Sequence, residues 1–200
     1  MRNIIIISAP SGTGKTTLCK AIQEKIVDIQ WSVSFTTRKK RPIEIDGIDY
    51  KFISEKNFKK LIAENKFSEW EKVHGNYYGT SKISLNNAIE ENKILLLELD
   101  VKGAMKLKQS YPENSYSIFI IPPSIDHLRA RLKKRGTDSD ERIEVRLQRF
   151  EEEMNLKENF DQIMINEDLE SAKLQLTNII NKVKKGDKNG FENHTISRNR

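Results

Sequence analysis

A run of four isoleucines and a glycine-rich segment follow each other near the amino terminus: Ile4-Ile5-Ile6-Ile7-Ser8-Ala9-Pro10-Ser11-Gly12-Thr13-Gly14-Lys15-Thr16-Thr17. The apolar run is typical of a strand buried on both faces of a parallel sheet. A glycine-rich turn between a strand and a helix lets backbone N–H groups surround a phosphate at the start of the helix. The segment therefore predicts a phosphate-binding loop of the Walker A type. In such a loop Lys15 contacts the terminal phosphates of a nucleotide, and the Thr16 hydroxyl binds Mg²⁺.

The loop departs from the strict pattern at one position, because Ala9 stands where the pattern has its first glycine. Alanine adopts positive φ less readily than glycine does. We therefore expect Ala9 either to keep an ordinary backbone conformation or to introduce strain.

Further segments repeat the order of a buried strand followed by a helix. Short apolar runs at 94–97 and 118–121 predict two more strands of the parallel sheet. Apolar residues at helical spacing predict helices at 15–27, 124–134, 141–156 and 168–183. Together they predict an α/β fold, in which a parallel sheet carries the phosphate loop and is flanked by helices.

Residues 32–80 differ from this pattern and predict a small inserted lobe of α+β character. Short strands are expected at 32–35, 50–53 and 67–73, with one helix near 55–64. The lobe would divide the core into residues 1–31 and 81–183. Periodicity ends after Val183, so we expect residues 184–200 to form a flexible basic tail.

The net charge of +6 and the isoelectric point of about 9.2 suggest a polyanionic partner. However, residues 182–200 contain six basic and two acidic side chains, so 4 of the 6 excess charges belong to this segment. The rest of the chain is nearly balanced, and a nucleic-acid partner is not expected.

Cysteine content and hydropathy indicate a soluble protein of the cytoplasm. Cys19 is the single cysteine of the chain, which excludes an internal disulfide. No run of 18 apolar residues occurs in the sequence, so we expect no contact with a membrane.

Two acidic residues lie at the end of the apolar run that begins at Ile94. There Glu98 and Asp100 alternate with Leu99. An aspartate at the end of a strand beside a phosphate loop can hold Mg²⁺ or its bound water. Asp100 also precedes a helical stretch, where an aspartate commonly caps the helix. The sequence leaves both roles open.

Six arginines are concentrated within 21 residues: Arg129, Arg131, Arg135, Arg142, Arg146 and Arg149. Arginine holds two phosphate oxygens at once through its planar guanidinium. The turn near Gly136 separates two predicted helices, so the segment 135–146 is expected to be a mobile lid that closes on phosphates. The alternative is a solvated helix face on which these arginines pair with neighbouring glutamates.

Ordered motifs along the chain resemble those of the guanylate kinase family, from Ile4 to about Val183. The motifs are Ser32-Val33-Ser34-Phe35-Thr36-Thr37-Arg38, Arg41-Pro42, Gly47, Asp49-Tyr50, Phe67-Ser68-Glu69-Trp70, Gly75-Asn76-Tyr77-Tyr78-Gly79-Thr80, Pro122-Pro123-Ser124, Arg135-Gly136-Thr137 and Asn166-Glu167-Asp168. The resemblance implies a nucleoside-monophosphate kinase that transfers the γ-phosphate of ATP to GMP, with Mg²⁺ as cofactor. Residues 32–80 would then be the GMP-binding lobe.

The resemblance also implies roles for individual residues. ATP would be bound by Ala9, Pro10, Ser11, Gly12, Thr13, Gly14, Lys15, Thr16, Thr17 and Asn166, the last of them near the adenine. The GMP phosphate would be held by Arg38, Arg41, Tyr50 and Tyr78, and the guanine by Ser34, Glu69 and Thr80. Glu98 and Asp100 would lie near the acceptor, and Thr16 and Asp100 near the metal. Lys15, Arg131, Arg135 and Arg146 would be catalytic.

Two of these residues differ from those of many relatives, since Glu98 replaces an aspartate and Thr80 a serine. Both changes keep the polar chemistry, although Glu98 is one methylene longer.

The chemistry of guanine supports the role of Glu69 independently. Guanine presents N1–H and N2–H donors on one edge, and one carboxylate can accept both. Adenine lacks this donor pair, and a site built for it rejects such analogues by roughly 10⁴-fold or more.

Two other functions remain open. A guanylate-kinase-like interaction module would keep the fold without turnover, and another kinase on this scaffold would use a different small acceptor.

Overall fold

The computed structural model describes residues 2–10, 12–73, 75–136 and 139–186, and for Arg135 only the backbone. Its strands are β1 (Ile4–Ser8), β2 (Ile29–Trp31), β3 (Phe35–Thr36), β4 (Lys51–Phe52), β5 (Phe67–Val73), β6 (Asn76–Ser81), β7 (Ile94–Leu99), β8 (Ser115–Ile121) and β9 (Gln162–Ile165). Its helices are α1 (Lys15–Lys25), α2 (Glu55–Ala63), α3 (Lys82–Glu90), α4 (Val101–Ser110), α5 (Ile125–Arg135), α6 (Asp140–Met154) and α7 (Leu169–Lys184), with a 3₁₀ turn at Lys157–Asn159.

Five parallel strands form the core sheet in the order β2-β7-β1-β8-β9. The four isoleucines of β1 alternate between its two faces. Ile5 and Ile7 pack with α1 and α7, whereas Ile4 and Ile6 pack with α3 and α4. A strand at the centre of a sheet covered on both faces needs apolar residues at every position. The predicted α/β fold with a parallel core is confirmed.

The parallel arrangement brings the carboxyl ends of the core strands to one edge. Ser8 at the end of β1 lies opposite Leu99 of β7 and Phe119 of β8. The glycine-rich loop after β1 and the acidic residues that end β7 therefore meet at this edge, where open parallel sheets bind their ligands.

A second, mixed sheet has the order β4-β3-β6-β5 and is called the small sheet below. Helix α2 covers it through Phe58, whose ring stacks on Phe67 at 4.5 Å between centroids. Gly79 of β6 leaves room for these rings, because a Cβ there would lie 2.9 Å from Phe58.

The predicted strand at 32–35 is wrong in its position. The observed strand β3 begins only at Phe35, and the preceding residues extend the core sheet instead. The Ser32 N–H donates to the Leu96 carbonyl at 2.9 Å, continuing the pairing of β2 with β7. Strands β2 and β6 and helix α3 were not predicted.

Helices α5 and α6, both predicted from their apolar spacing, pack against each other. Leu128 and Leu132 of α5 pack against Ile143, Leu147 and Phe150 of α6. Gly136 ends α5 in the left-handed conformation, with φ of 64°.

The small sheet contacts the core on two sides. On one side β5 packs against α4, where the Ser68 and Tyr111 hydroxyls are hydrogen-bonded at 3.0 Å. On the other side Asp49, in the loop that precedes β4, pairs with Lys20 of α1 at 3.0 Å. Of the helices in the described ranges, none has the length and apolar character needed to cross a membrane.

Candidate active site

A cavity of about 860 Å³ lies between the carboxyl edge of the core sheet and the small sheet. Most of the residues predicted for nucleotide binding line it: Ala9, Pro10, Gly12, Thr13, Gly14, Lys15, Thr16, Thr17, Ser34, Arg38, Arg41, Tyr50, Tyr78, Glu98, Asp100 and Arg131. Four others, Glu69, Thr80, Arg146 and Asn166, are not among its described lining residues. Ser11 and the side chain of Arg135 lie outside the described part of the chain.

The loop between β1 and α1 depends on glycine at two positions. Gly12 and Gly14 have φ of 93° and 90°, a region that residues with a side chain rarely adopt. A Cβ on Gly12 would also lie 2.8 Å from Leu132. Ala9 avoids strain, since the described non-glycine residues with positive φ are Asn65 and Asn92. Its side chain is buried in the core beneath α1.

Asn166, which was predicted near the adenine, lies behind the loop. Its side chain is buried, and Nδ2 donates to the Thr13 carbonyl at 2.6 Å. Thr13 is itself buried and donates its hydroxyl to the Pro10 carbonyl at 2.9 Å. These contacts support the loop from its buried side.

Arg131 supports the same region from the side of α5. Its guanidinium donates to the Asn166 carbonyl at 2.9 Å, to the Glu167 carbonyl at 3.1 Å and to the Thr13 carbonyl at 3.4 Å. Arg131 also lines the cavity, so it connects α5 to the loop at the position where phosphates would bind.

Lys15 and Thr16 are both engaged by the end of β7. The Lys15 ammonium donates to the Leu99 carbonyl at 2.6 Å and lies 3.9 Å from Glu98 Oε1. The Thr16 hydroxyl donates to Glu98 Oε1 at 2.6 Å. Glu98 is therefore the carboxylate that contacts the first helical residues after the loop.

Asp100 caps helix α4, one of the two roles that the sequence left open. Its Oδ1 accepts the Gly103 N–H at 2.7 Å. Because Asp100 also lines the cavity, the cap holds one carboxylate beside the phosphate loop.

Arg38 is fixed by a residue that the sequence analysis missed. Glu44 accepts from both terminal nitrogens of Arg38, at 3.0 Å and 2.7 Å, and from the Arg41 backbone N–H at 2.8 Å. The hydrogen bonds with Glu44 raise the pKa of Arg38 and lower that of Glu44. The one signal available in the sequence was an acid three residues after Arg41.

Two tyrosines complete the wall of the cavity beside Arg38. The Arg38 guanidinium lies 5.4 Å from the Tyr50 ring centroid, and Tyr50 meets Tyr78 edge to face at 6.0 Å. Burial raises the pKa of Tyr50, so its hydroxyl stays protonated and can donate to an anion. Together with Arg41, three residues further along the same loop, this group can surround a phosphate dianion with donors.

Glu69 and Thr80 form a buried pair on adjacent strands of the small sheet. The Thr80 hydroxyl donates to Glu69 Oε1 at 2.5 Å, and Glu69 is only 6% exposed. Burial raises the pKa of Glu69 to about 7, with Asp100 and Glu71 adding to the effect and the Thr80 hydrogen bond opposing it. The pair is placed beside α4, close to Asp100.

The arginines of α5 and α6 were predicted either to contact phosphates from a lid or to pair with glutamates on a solvated helix face, and the structure contains examples of arginines in both kinds of position. Arg129 pairs with Glu144 at the exposed surface, as the solvated-face alternative predicts. Arg149, which was not selected as a site residue, lines the cavity and donates to Glu153 at 2.9 Å. Helical spacing one turn beyond Arg146 was the signal that could have identified it.

Comparisons with known proteins agree with this architecture. A family model described as guanylate kinase matches residues 1–183. Guanylate kinase of Caldanaerobacter subterraneus subsp. tengcongensis is 45% identical over 177 residues, covering 88% of this chain and 85% of that protein. Guanylate kinase of Helicobacter pylori is 49% identical over 171 residues, covering 86% and 82%. The crystal structure of guanylate kinase from Anaplasma phagocytophilum has a TM-score of 0.73 at 31% identity, covering 90% of this chain and 85% of that one. The chain belongs to the guanylate kinase family.

Proposed function

We propose that this protein transfers the γ-phosphoryl group of ATP to GMP, giving ADP and GDP. One observation carries the proposal: a single cavity is lined by a phosphate loop on one side and by the group of Arg38, Arg41, Tyr50 and Tyr78 on the other. Two anions bound in this cavity would face each other, which is the arrangement that direct transfer between two nucleotides requires.

The donor side would bind ATP through the loop of residues 9–17. Its backbone N–H groups and the start of α1 attract phosphate oxygens, and Lys15 adds a full charge. The hydrogen bond from Lys15 to the Leu99 carbonyl holds the ammonium at this edge. We assign Asn166 to the support of the loop, because its Nδ2 contacts Thr13.

The acceptor side would bind GMP through side chains of the small sheet. Arg38, Arg41, Tyr50 and Tyr78 would hold the phosphate, and Glu69 would accept the N1–H and N2–H of guanine. Thr80 and Ser34 complete the proposed base contacts. No assigned contact goes to the sugar, so dGMP is proposed as a second acceptor.

The oxygen ligands beside the loop fit a magnesium ion. Mg²⁺ prefers hydroxyl, carboxylate and phosphate oxygens and is usually bound by one or two side chains together with substrate phosphates. The Thr16 hydroxyl and Asp100 are the proposed ligands, and Glu98 lies 2.6 Å from the Thr16 hydroxyl. When bound, the ion would neutralise charge on the transferring phosphates.

The proposed reaction is a direct in-line transfer. A phosphate oxygen of GMP attacks the γ-phosphorus of ATP, and the bond from that phosphorus to the β,γ-bridging oxygen breaks, releasing ADP. Lys15, Arg131, Arg135 and Arg146 would stabilise the charge that develops on the equatorial oxygens. Closure of the lid, about residues 135–146, would exclude water and limit hydrolysis of ATP.

The proposed organisation assigns residues 1–31 and 81–183 to the core and 32–80 to the GMP-binding lobe. The proposed tail, 184–200, lies outside the described residues from Asp187 onward. We also propose that the protein acts in the cytoplasm, where ATP and GMP are available.

The test is a coupled assay of ADP release with ATP and Mg²⁺, in which GMP, AMP, CMP and dTMP are offered in parallel. Turnover is expected with GMP alone. Equal rates with AMP would contradict the assigned acceptor, and no turnover with any of them would favour an interaction module.

A further inference from the structure

Gly103 occupies an unusual place in helix α4. It lies in the first turn and is buried, although glycine weakens a helix relative to alanine. Its φ is not among the positive values of the described glycines, so the backbone conformation does not require glycine at this position. The reason for glycine must therefore lie in the space beside the helix.

That space is occupied by the carboxylate of Glu69. A Cβ on residue 103 would lie 2.8 Å from Glu69 Oε2 and 3.2 Å from Asp100 Oδ1. The other carboxylate oxygen, Oε1, is held by the Thr80 hydroxyl at 2.5 Å. The Glu69 carboxylate is thus confined between Thr80 on one side and the bare backbone of α4 on the other.

We propose that Gly103 is a positioning residue for acceptor specificity, because the missing side chain lets Glu69 keep the orientation set by Thr80 and α4. The inference rests on the proposed function of Glu69 as the carboxylate that accepts both guanine donors. A carboxylate accepts two neighbouring N–H groups only when both of its oxygens lie in the plane of the base.

A side chain at position 103 affects the carboxylate more than the fold. The atom nearest to the added Cβ is the end of a long side chain, so Glu69 can turn away while the helix stays in place. Because alanine also has the higher helix propensity, the stability of α4 is not reduced. Lys15 and Thr16 hydrogen-bond to Leu99 and Glu98 and to neither Gly103 nor Glu69. The added Cβ would lie 3.2 Å from Asp100 Oδ1, which the Gly103 N–H already holds at 2.7 Å, so we expect Asp100 to keep its place and the donor side to be unaffected.

The first experiment compares Gly103→Ala with the parent protein in steady-state kinetics. We expect KM for GMP to rise by about ten- to a hundredfold, since a displacement of the order of 1 Å has effects of this size. KM for ATP and the melting temperature should stay unchanged. Lys102→Ala, an exposed neighbour in the same turn, is the matched control and should leave all three values unchanged.

The second experiment asks whether Gly103 acts through Glu69. In a Glu69→Ala background the added methyl group meets no carboxylate, so Gly103→Ala should have no further effect on KM for GMP. A full additional increase in that background would overturn the inference. Loss of folding in Gly103→Ala would also overturn it, because the inference assigns the close approach to a side chain that can move.

The same cycle separates this inference from the proposed function. If Glu69→Ala leaves KM for GMP unchanged, the assigned role of Glu69 is wrong and the inference falls with it. If Glu69→Ala raises KM and Gly103→Ala does not, the inference about Gly103 alone is wrong.

Discussion

The two sides of the cavity differ in the groups that they present, which are backbone N–H groups on one side and side chains on the other. The donor side consists of backbone N–H groups in a loop whose conformation is fixed by buried side chains, Thr13 and Asn166. The acceptor side consists of side chains on short strands and on a loop in which Ile43 is 89% exposed. These side chains are held by pairing with each other, as Arg38 is by Glu44. The position of backbone donors is therefore determined by the fold. The position of a side chain such as Arg38 depends in addition on the residue that pairs with it.

The largest expected change in kcat is on the donor side, at Lys15, whose ammonium adds a full positive charge to the phosphate loop. Lys15→Ala should lower kcat by roughly 10³-fold or more, because phosphoryl transfer depends on electrostatic stabilisation. The melting temperature of this variant should stay close to that of the parent. Lys25→Ala, an exposed position in the same helix, is the matched control and should change neither kcat nor the melting temperature. Near-normal turnover of the Lys15 variant would contradict the assignment of the loop.

A substitution that keeps charge tests the acceptor side. Arg38→Lys retains a cation but loses the fork that Glu44 holds through both terminal nitrogens. We expect KM for GMP to rise by about ten- to a hundredfold, by analogy with the loss of one partner of a close charge pair, while KM for ATP is unchanged. Lys39→Ala, next to it on the exposed loop, should behave as the parent. An equal rise in KM for ATP would show that the two sides are not independent.

The buried carboxylate predicts a dependence on pH that belongs to the acceptor side alone. Burial raises the pKa of Glu69 to about 7, and in its proposed role Glu69 must be ionised to accept two donors from guanine. KM for GMP should therefore fall by about tenfold in total as pH rises from 6 to 8, because the ionised fraction of Glu69 increases by that factor. KM for ATP should lack this step, and Glu69→Gln should leave only the change that comes from the second ionisation of the GMP phosphate, near a pKa of about 6.

The same pKa has a consequence for stability. Because it is raised above the ordinary value of 4.5, Glu69 contributes stability that is fully present below pH 4.5 and is lost as pH rises through 7. Thermal unfolding should thus show that Glu69→Gln gains stability relative to the parent between pH 5 and pH 8. A constant difference across this range would exclude a raised pKa.

The smallest effect is expected at Asn166 and decides between two roles. The test compares ATP with GTP, offered as an alternative phosphoryl donor that differs only in its base. If Asn166 supports the loop, Asn166→Ala should lower the free energy of unfolding by about 1–2 kcal/mol and raise KM for both donors by the same few-fold factor. If it contacts the adenine, the ratio of the two KM values should change while stability stays the same. Kinetics with both donors and thermal melting distinguish the two roles.

The core of the fold could be predicted because its residues are decided by burial. The run Ile4–Ile7 is apolar at every position, and the predicted helices end within two residues of the observed ones. Strand β2 could not be predicted in this way. Its three residues, Ile29–Trp31, acquire their conformation from pairing with β7, and pairing between distant segments leaves no local pattern.

For the site, as for the fold, the features that could be predicted are those with a local pattern in the sequence. The loop of residues 9–17 was predicted because its glycines and its place between strand and helix are local features. Glu44 was missed because its pairing with Arg38 exists only after the loop between the two residues has folded back, and this fold leaves no pattern in the sequence. For Asn166, the resemblance to the guanylate kinase family implied a position near the adenine, but it could not tell which side of the loop the side chain faces.

The contact between β5 and α4 has a mechanical consequence. Glu69 lies at this contact, against Gly103, whereas the loop carrying Arg38 lies at the far edge, where the exposed pair of Lys20 and Asp49 joins it to α1. A rotation of the small sheet that preserves the packing of β5 on α4 therefore moves Glu69 least and the arginine loop most. If the small sheet rotates in this way when GMP binds, the proposed base contacts would lie near the axis of rotation and the proposed phosphate contacts would move furthest. Added salt would weaken the ion pair that joins the arginine loop to α1.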